Sequence, residues 1–240
     1  MATAARTKAP ATGDRAAAPR PRRDAARTQA AILEAATHEF ARHGLGGARV
    51  DRIAARAKTN KRMLYYYFGA KADLFLAVLE RAYEHIRGEE QKLRLADLPP
   101  TRAVAGLVAF TWNYFLAHPE FMTLLNDENL HRARHLKRSR KIRAMHSPLV
   151  ATLSEILRRG VKAGEFRSGV DPVQLYVSIA ALGYFYLSNN HTLSTIFGRD
   201  LMAAPAKAER LAHMQALVRG FLARAAPPPQ LAPRRAVPVS

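Results

Sequence analysis

The stretch VDRIAARAKTNKRMLYYYFGAKADLF, residues 50–75, decides the fold. In its first part Val50, Ile53, Ala54 and Ala57 recur at three- and four-residue spacing, which puts them on one face of a short helix. A turn of two or three residues follows. Asn60, whose side-chain oxygen accepts from an orphan amide, then opens a second short helix from Lys61 to about Phe68. Leu64 and Phe68 lie four apart and share a face. Tyr65 is expected beside them, packed on Ile53, Ala54 and Phe40. Arg62, Met63, Tyr66 and Tyr67 are expected on the opposite, exposed face, with Lys61 in the first turn. Hydroxyl-tipped rings beside cations suit a phosphate backbone, because the hydroxyl donates to phosphate oxygen and the cations supply long-range attraction. Two short helices across a tight turn form a helix-turn-helix, whose second helix enters the major groove. The competing reading is a surface helix with exposed aromatics.

Outward from this stretch the pattern stays helical. Ile32, Leu33, Ala36 and Phe40 mark a first helix from about Asp24 to His43, ended by the glycines of HGLGG. After Phe68, helices are expected over 71–95, 101–118 and 119–130. A long one follows over 133–164 with a kink near Pro148, then one from Asp171–Pro172 to about Thr195, and a last one over 206–225. Alternating Val/Ile/Thr runs bounded by turns are missing, so the fold class is all-α, with about nine helices. Residues 1–23 read as a disordered basic arm and 227–240 as a disordered Pro-rich tail. Between them lie a helix-turn-helix domain over 24–72 and a larger helical domain over 73–226.

The chain has 240 residues, long enough for a sizeable core, and 48% are hydrophobic. Thirty-eight Lys and Arg stand against 19 Asp and Glu, a formal net charge of +19, which favours an anionic partner: nucleic acid first, an acidic membrane surface second. There is no Cys, which excludes disulfides and thiolate metal sites and suits a reducing cytoplasm. The N-terminus lacks the continuous apolar segment of a secretory signal. The longest apolar run, VQLYVSIAALGYFYL over 173–187, is shorter than the roughly 20 residues of a membrane span and reads as a buried helix. Phosphate-cradling glycine loops, a Gly-x-Ser-x-Gly elbow and zincin motifs are missing, so nothing in the sequence supports an enzyme.

RTQAAILEAATHEFARHG, residues 27–44, followed by residues 50–75, resembles the N-terminal DNA-binding domain of the TetR family of bacterial transcriptional regulators. The resemblance covers about residues 25–75. It rests on Ile53, Ala54 and Ala57 in the second helix, a polar cap, Leu64-Tyr65 with Phe68, and Gly69, Lys71 and Leu74 at the start of the next helix. It implies an all-helical homodimer with a palindromic double-stranded DNA operator, a small-molecule effector held by the larger domain, no cofactor, and a place at the nucleoid of the bacterial cytoplasm. The DNA-contacting set is then Arg49, Thr59, Asn60, Lys61, Arg62, Met63, Tyr66, Tyr67 and Lys71. Lys61, Arg62 and Met63 would approach base edges, and Tyr66, Tyr67 and Lys71 the phosphates. Four positions depart from the family pattern. Lys58-Thr59 replaces the usual Gly-Val in the turn, so Lys58 is strained there or the turn differs. Tyr67 replaces a His, and Arg49 replaces a Thr.

The resemblance carries no effector identity. Phe110, Trp112, Phe115, Phe121 and Met122 fall in adjacent helices, with Tyr176 and Tyr184 on a third, and such a set lines an apolar pocket or simply packs as core. HRARHLKRSRKIR, residues 131–143, reads as a solvated basic face or as a site for an anionic head group. Glu128, His131 and His135 have spacing that a metal can use, but the expected assignment is no metal. Two apolar helices near the C-terminus suggest a four-helix dimer interface through Leu182, Phe185, Met214, Leu217, Val218 and Phe221. Rivals to the effector-released repressor are a ligand-independent DNA-binding regulator and a helical interaction protein that binds polyanions or anionic lipid.

Overall fold

The computed structural model describes residues 21–223. The tail expected over 227–240 lies outside them, as does the basic arm up to residue 20. Positions 21–23 already belong to the first helix.

Regular structure among the described residues is ten α-helices and two 3-10 turns, with one isolated bridge pairing Phe166 and Ala223. Helix α1 spans Pro21–Gly47 but is broken at Gly44 (φ 64°, ψ 175°), where the glycines are expected to end it; α2 spans Val50–Arg56 and α3 Lys61–Phe68. Next come α4, Lys71–Gln91, then α5, Pro100–Ala117, and α6, Pro119–Leu130. The chain closes with α7, Arg140–Lys162, α8, Pro172–Ser188, α9, Asn190–Phe197, and α10, Ala204–Leu222. Pro100, Pro119 and Pro172 start their helices, where a missing N–H costs nothing and φ is already helical.

Helix α4 stops at Gln91, short of the expected Leu95, and α10 starts and ends two to three residues earlier than expected; two larger differences have a visible cause. The long basic helix expected over 133–164 is interrupted: the chain turns after Leu130, makes a 3-10 turn at Leu136–Arg138, and begins α7 only at Arg140. The cause is Glu128, whose carboxylate takes the backbone N–H groups of His135 (2.8 Å) and Leu136 (2.9 Å) out of helical bonding. Ser139 then caps the new helix by accepting from the Ile142 N–H. Arg132 and Ala133 reach the turn through left-handed backbone, φ 55° and 56°. The helix expected to run on to Thr195 ends at Ser188 and restarts at Asn190, which makes the tenth helix. Helix α7 is continuous through Pro148.

Two hydrophobic cores share α4. The smaller holds Ile32, Phe40, Ile53, Leu64, Leu74 and Phe75, and Leu124 of α6 and Ile142 of α7 are buried inside it. The larger is built on Leu107, Trp112, Leu153, Ile156, Ile179 and Met214. Ala82 and Tyr83 pack against both. The division between cores therefore falls within α4, beyond the boundary at residue 72 that the motif suggests.

Candidate nucleic-acid interface and ligand cavities

The turn between α2 and α3 is built from backbone bonds: Lys58 N–H donates to Ala55 O and Thr59 N–H to Ala54 O. Lys58 stands at φ 52°, the left-handed conformation that glycine adopts most easily, so this residue is the strained one of the two alternatives. Asn60 is the N-cap, its Oδ1 accepting from the Met63 N–H at 3.0 Å. Asp73 closes the other end by accepting from the Ala70 N–H, and the Arg138 guanidinium hydrogen-bonds this carboxylate and holds it below its usual range.

Helix α3 divides its tyrosines differently from the sequence expectation. Tyr65 is 51% exposed and Tyr66 77%, whereas Tyr67 is half-buried against the smaller core. Helix geometry accounts for this: measured from the buried Leu64 at about 100° per residue, Tyr67 stands about 60° away and Tyr65 about 100°. Tyr67 therefore leans on the core with Leu64 and Phe68, and Tyr65 joins Arg62 and Tyr66 outside. Tyr65 is the residue that sequence reasoning left out of the exposed face, although a helical wheel centred on Leu64 finds it.

Arg62 is exposed, and Met63 is half-buried. The Lys61 ammonium is ion-paired with Asp51 of α2, and Arg49 lies 3.9 Å from the same carboxylate. The Arg49 N–H donates to Glu39 at 3.1 Å, fixing the start of α2 without a side-chain cap. Lys71 donates to the carbonyls of Ala48 (3.1 Å) and Gly46 (3.5 Å), so its charge braces the α1–α2 connection.

The link to the larger domain runs through α6. Asp127 accepts from the Leu45 N–H at 2.7 Å, across 82 residues of sequence. Gly44, φ 64°, allows that approach: a Cβ there would lie 3.0 Å from the Asp127 carboxylate. No local signal announced this contact. The histidines weighed as metal ligands are bonded otherwise. His135 Nδ1 lies 2.6 Å from the second Glu128 oxygen, and His131 Nδ1 lies 2.7 Å from Asp127 O. No group of three or more His, Cys, Asp or Glu side chains is arranged for a metal among the described residues. In the basic segment Arg138 pairs with Asp73 and Lys141 with Glu84, while Arg132, Arg134, Lys137, Arg140 and Arg143 are exposed.

Three cavities among the described residues are notable. One, about 620 Å³, is a cleft between α1, α4 and the α5–α6 junction, with His38, Arg42, Arg81, His85 and Phe121 on its walls. A second, about 380 Å³, lies between α5 and the end of α10 against Val104, Val108, Phe166 and Leu222. The third, about 170 Å³, lies between the C-terminal half of α4 and α7, and the buried pair Arg87 and Glu90 is on its wall. Of the aromatic set expected around a pocket, Phe121 lines the first cleft. Trp112, Phe115 and Met122 are packed in the larger core and line none of the three. Phe110 and Tyr184 pack half-buried on that core, and Tyr176 accepts from Arg87 Nη2 at 2.9 Å. Of the expected dimer residues, Phe185, Leu217 and Phe221 are exposed and Leu182 is half-buried. Met214 and Val218 are buried in the subunit's own core, so they leave the interface set. The α10 stripe is wide enough to serve both an inner and an outer face. No helix among the described residues is long and apolar enough to cross a membrane.

Comparison with known proteins matches this layout. Residues 32–78 match the family model described as bacterial regulatory proteins, tetR family, and residues 100–218 match that of the tetracyclin repressor-like C-terminal domain. The chain is 44% identical over 185 residues to the HTH-type transcriptional repressor NicS of Pseudomonas putida, covering 77% of this chain and 87% of that protein. It is 43% identical over 110 residues to the HTH-type transcriptional repressor SCO4008 of Streptomyces coelicolor, covering 45% and 53%. Among solved structures, the putative transcriptional regulator SCO4942 of Streptomyces coelicolor superimposes with a TM-score of 0.61 at 26% identity, over 81% of this chain and 98% of that one.

Proposed function

Because this chain belongs to the TetR family of bacterial transcriptional regulators, we propose that it is a homodimeric repressor that binds a palindromic operator and is released by a small-molecule effector. The observation that carries the reading is the face of α3. A capped recognition helix presents Arg62, Tyr65 and Tyr66 outward, on a chain of net charge +19. Phosphate attraction supplies affinity, and side chains near the helix N-terminus read base edges. Arg62 reads bases, with Lys61 and Met63 beside it. Tyr65 and Tyr66 anchor phosphates, and the turn before the helix, with Arg49, Thr59 and Asn60, lies against the backbone. Tyr67 and Lys71 support this face from behind. Its place of action is the cytoplasm, at the nucleoid.

An effector releases the operator only to the extent that it prefers the state unable to bind DNA, and operator DNA weakens the effector by the same factor. The bond between Asp127 and Leu45 is a route by which a change among α4–α7 reaches α1. Selection of bound sequences from a random DNA pool, followed by footprinting, tests the reading. The expected result is a two-fold symmetric site, and Arg62→Ala should cost about 1–3 kcal/mol and relax one position per half-site. Indifferent binding to any polyanion, with no discrete footprint, favours the lipid or polyanion binder instead.

A further inference from the structure

Arg87 on α4 is 5% exposed and Glu90, one turn later, 7%. The Arg87 Nη2 donates to the Tyr176 hydroxyl of α8. Nη1 lies 2.9 Å from Glu90 Oε2 but out of line for a hydrogen bond, and neither Nη1 nor Nε has a hydrogen-bond partner. A buried guanidinium with two unmatched nitrogens is costly, and a carboxylate is the strongest acceptor it can gain; both nitrogens are closed off behind neighbouring side chains, so the ligand reaches the guanidinium along an edge shared with Nη2, with a shift of the Glu90 side chain. Both residues border the cavity of about 170 Å³, whose other walls include Leu95, Met145, Leu149 and Thr152. That space equals the liquid volume of about six waters at roughly 30 Å³ each, enough for one ring with a small substituent.

We propose that this cavity binds the carboxylate of a small monocarboxylic acid on Arg87, and admits it only with a proton on Glu90. The proposal rests on the effector reading above and names the chemical class of the effector. Two carboxylates facing one guanidinium in a buried site cannot both stay ionised. Burial pushes the Glu90 carboxyl up to about 7, against the opposing pull of Arg87, so the proton is available near neutrality. The other groups around the pair do not titrate there. Burial raises Tyr83 of α4 to about 12, raises Tyr176 of α8, and lowers His146 of α7. At the rim Arg94 is paired with Asp97 at 2.7 Å. The anionic head group that the 131–143 segment suggested is placed instead on a buried arginine of α4.

The test is calorimetric titration of the full chain with benzoate, and with benzamide as its uncharged isostere, from pH 6 to pH 9. Benzoate should bind with a Kd on the order of 1 mM, as its size allows, and benzamide at least about tenfold more weakly. Benzoate affinity should be level below about 7 and fall by up to about tenfold per unit above it, with proton uptake from the buffer. Glu90→Gln should bind benzoate equally at pH 6 and pH 8, and Arg87→Met should lose it. If Arg87→Met does not fold, the pH profiles of wild type and Glu90→Gln decide. Equal binding of acid and amide, a level profile across pH 6–9, or no heat from benzoate at saturating concentration overturns the proposal. Operator affinity measured in parallel separates the two readings: benzoate that binds without weakening the operator complex leaves the acid site standing and removes the effector role.

Discussion

Lys58 holds the α2–α3 turn at φ 52°, a conformation that costs a residue with a side chain about 1 kcal/mol and glycine almost nothing. Lys58→Gly should therefore raise stability by roughly 0.5–1 kcal/mol in urea unfolding, less the unfolded-state entropy that glycine adds. The tyrosines are separable by the same logic. Tyr67→Ala should lower the melting temperature, because its ring leans on Leu64 and the smaller core, while Tyr65→Ala and Tyr66→Ala should weaken operator binding and leave melting nearly unchanged. Equal destabilisation by all three would contradict the faces assigned here. Glu90 adds a pH term. Its folded pKa lies above the ordinary 4.5, at about 7, so its contribution is full below about 4.5 and is lost as pH rises through about 7. Glu90→Gln should accordingly shrink the fall in melting temperature between pH 5 and pH 8. Asn60 as cap and Lys58 as a strained position were legible, since both follow from local rules. The exchange of Tyr65 and Tyr67 arose because both lie near Leu64; the angles from Leu64, about 60° for Tyr67 and about 100° for Tyr65, decide between them.

At the scale of elements, the connection between α6 and α7 joins the two cores. Asp127 reaches back to α1, Glu128 ties the turn to itself, Arg138 holds Asp73 at the head of α4, and Ser139 donates to Glu80. Asp127→Ala removes a charge-assisted bond and leaves the Leu45 N–H without its partner, so it should destabilise by about 1–3 kcal/mol in urea unfolding. Helix existence was legible nearly everywhere, because apolar spacing and Pro or Asn starts are local. The interrupted helix at 131–139 was not. Its composition allows helix, and the carboxylate that diverts it lies at Glu128, upstream of the segment. Ser139 was the one available signal. The contact of Asp127 with Leu45 had none, as nothing in either segment names the other.

For the whole molecule, Val177, Phe185, Leu217 and Phe221 leave an apolar surface on α8 and α10, with the Arg167 guanidinium 3.8 Å from the Phe221 ring centre. A surface of this kind in a family of dimers is the proposed two-fold contact. Leu217→Glu together with Phe185→Glu should give a folded monomer by light scattering, with operator affinity reduced because the half-sites are no longer bound together. A folded double variant that stays dimeric would place the contact elsewhere. The helices proposed for the dimer contact, α8 and α10, were legible as apolar stripes. Which residues face outward was not, because Met214 and Val218 belong to the same stripe and are consumed by the subunit's own core. The shared cores also bear on protein engineering. Leu124 and Ile142 are buried among the residues of the helix-turn-helix unit, and Asp127 closes its first helix. A fragment cut after α4 would expose the socket that Leu124 and Ile142 fill. A chimera that swaps sensor domains at residue 72 would set a foreign α6 and α7 into that socket. Working hybrids should be those in which the donor supplies an apolar residue at positions 124 and 142 and a carboxylate at 127, or in which all three are grafted with the headpiece.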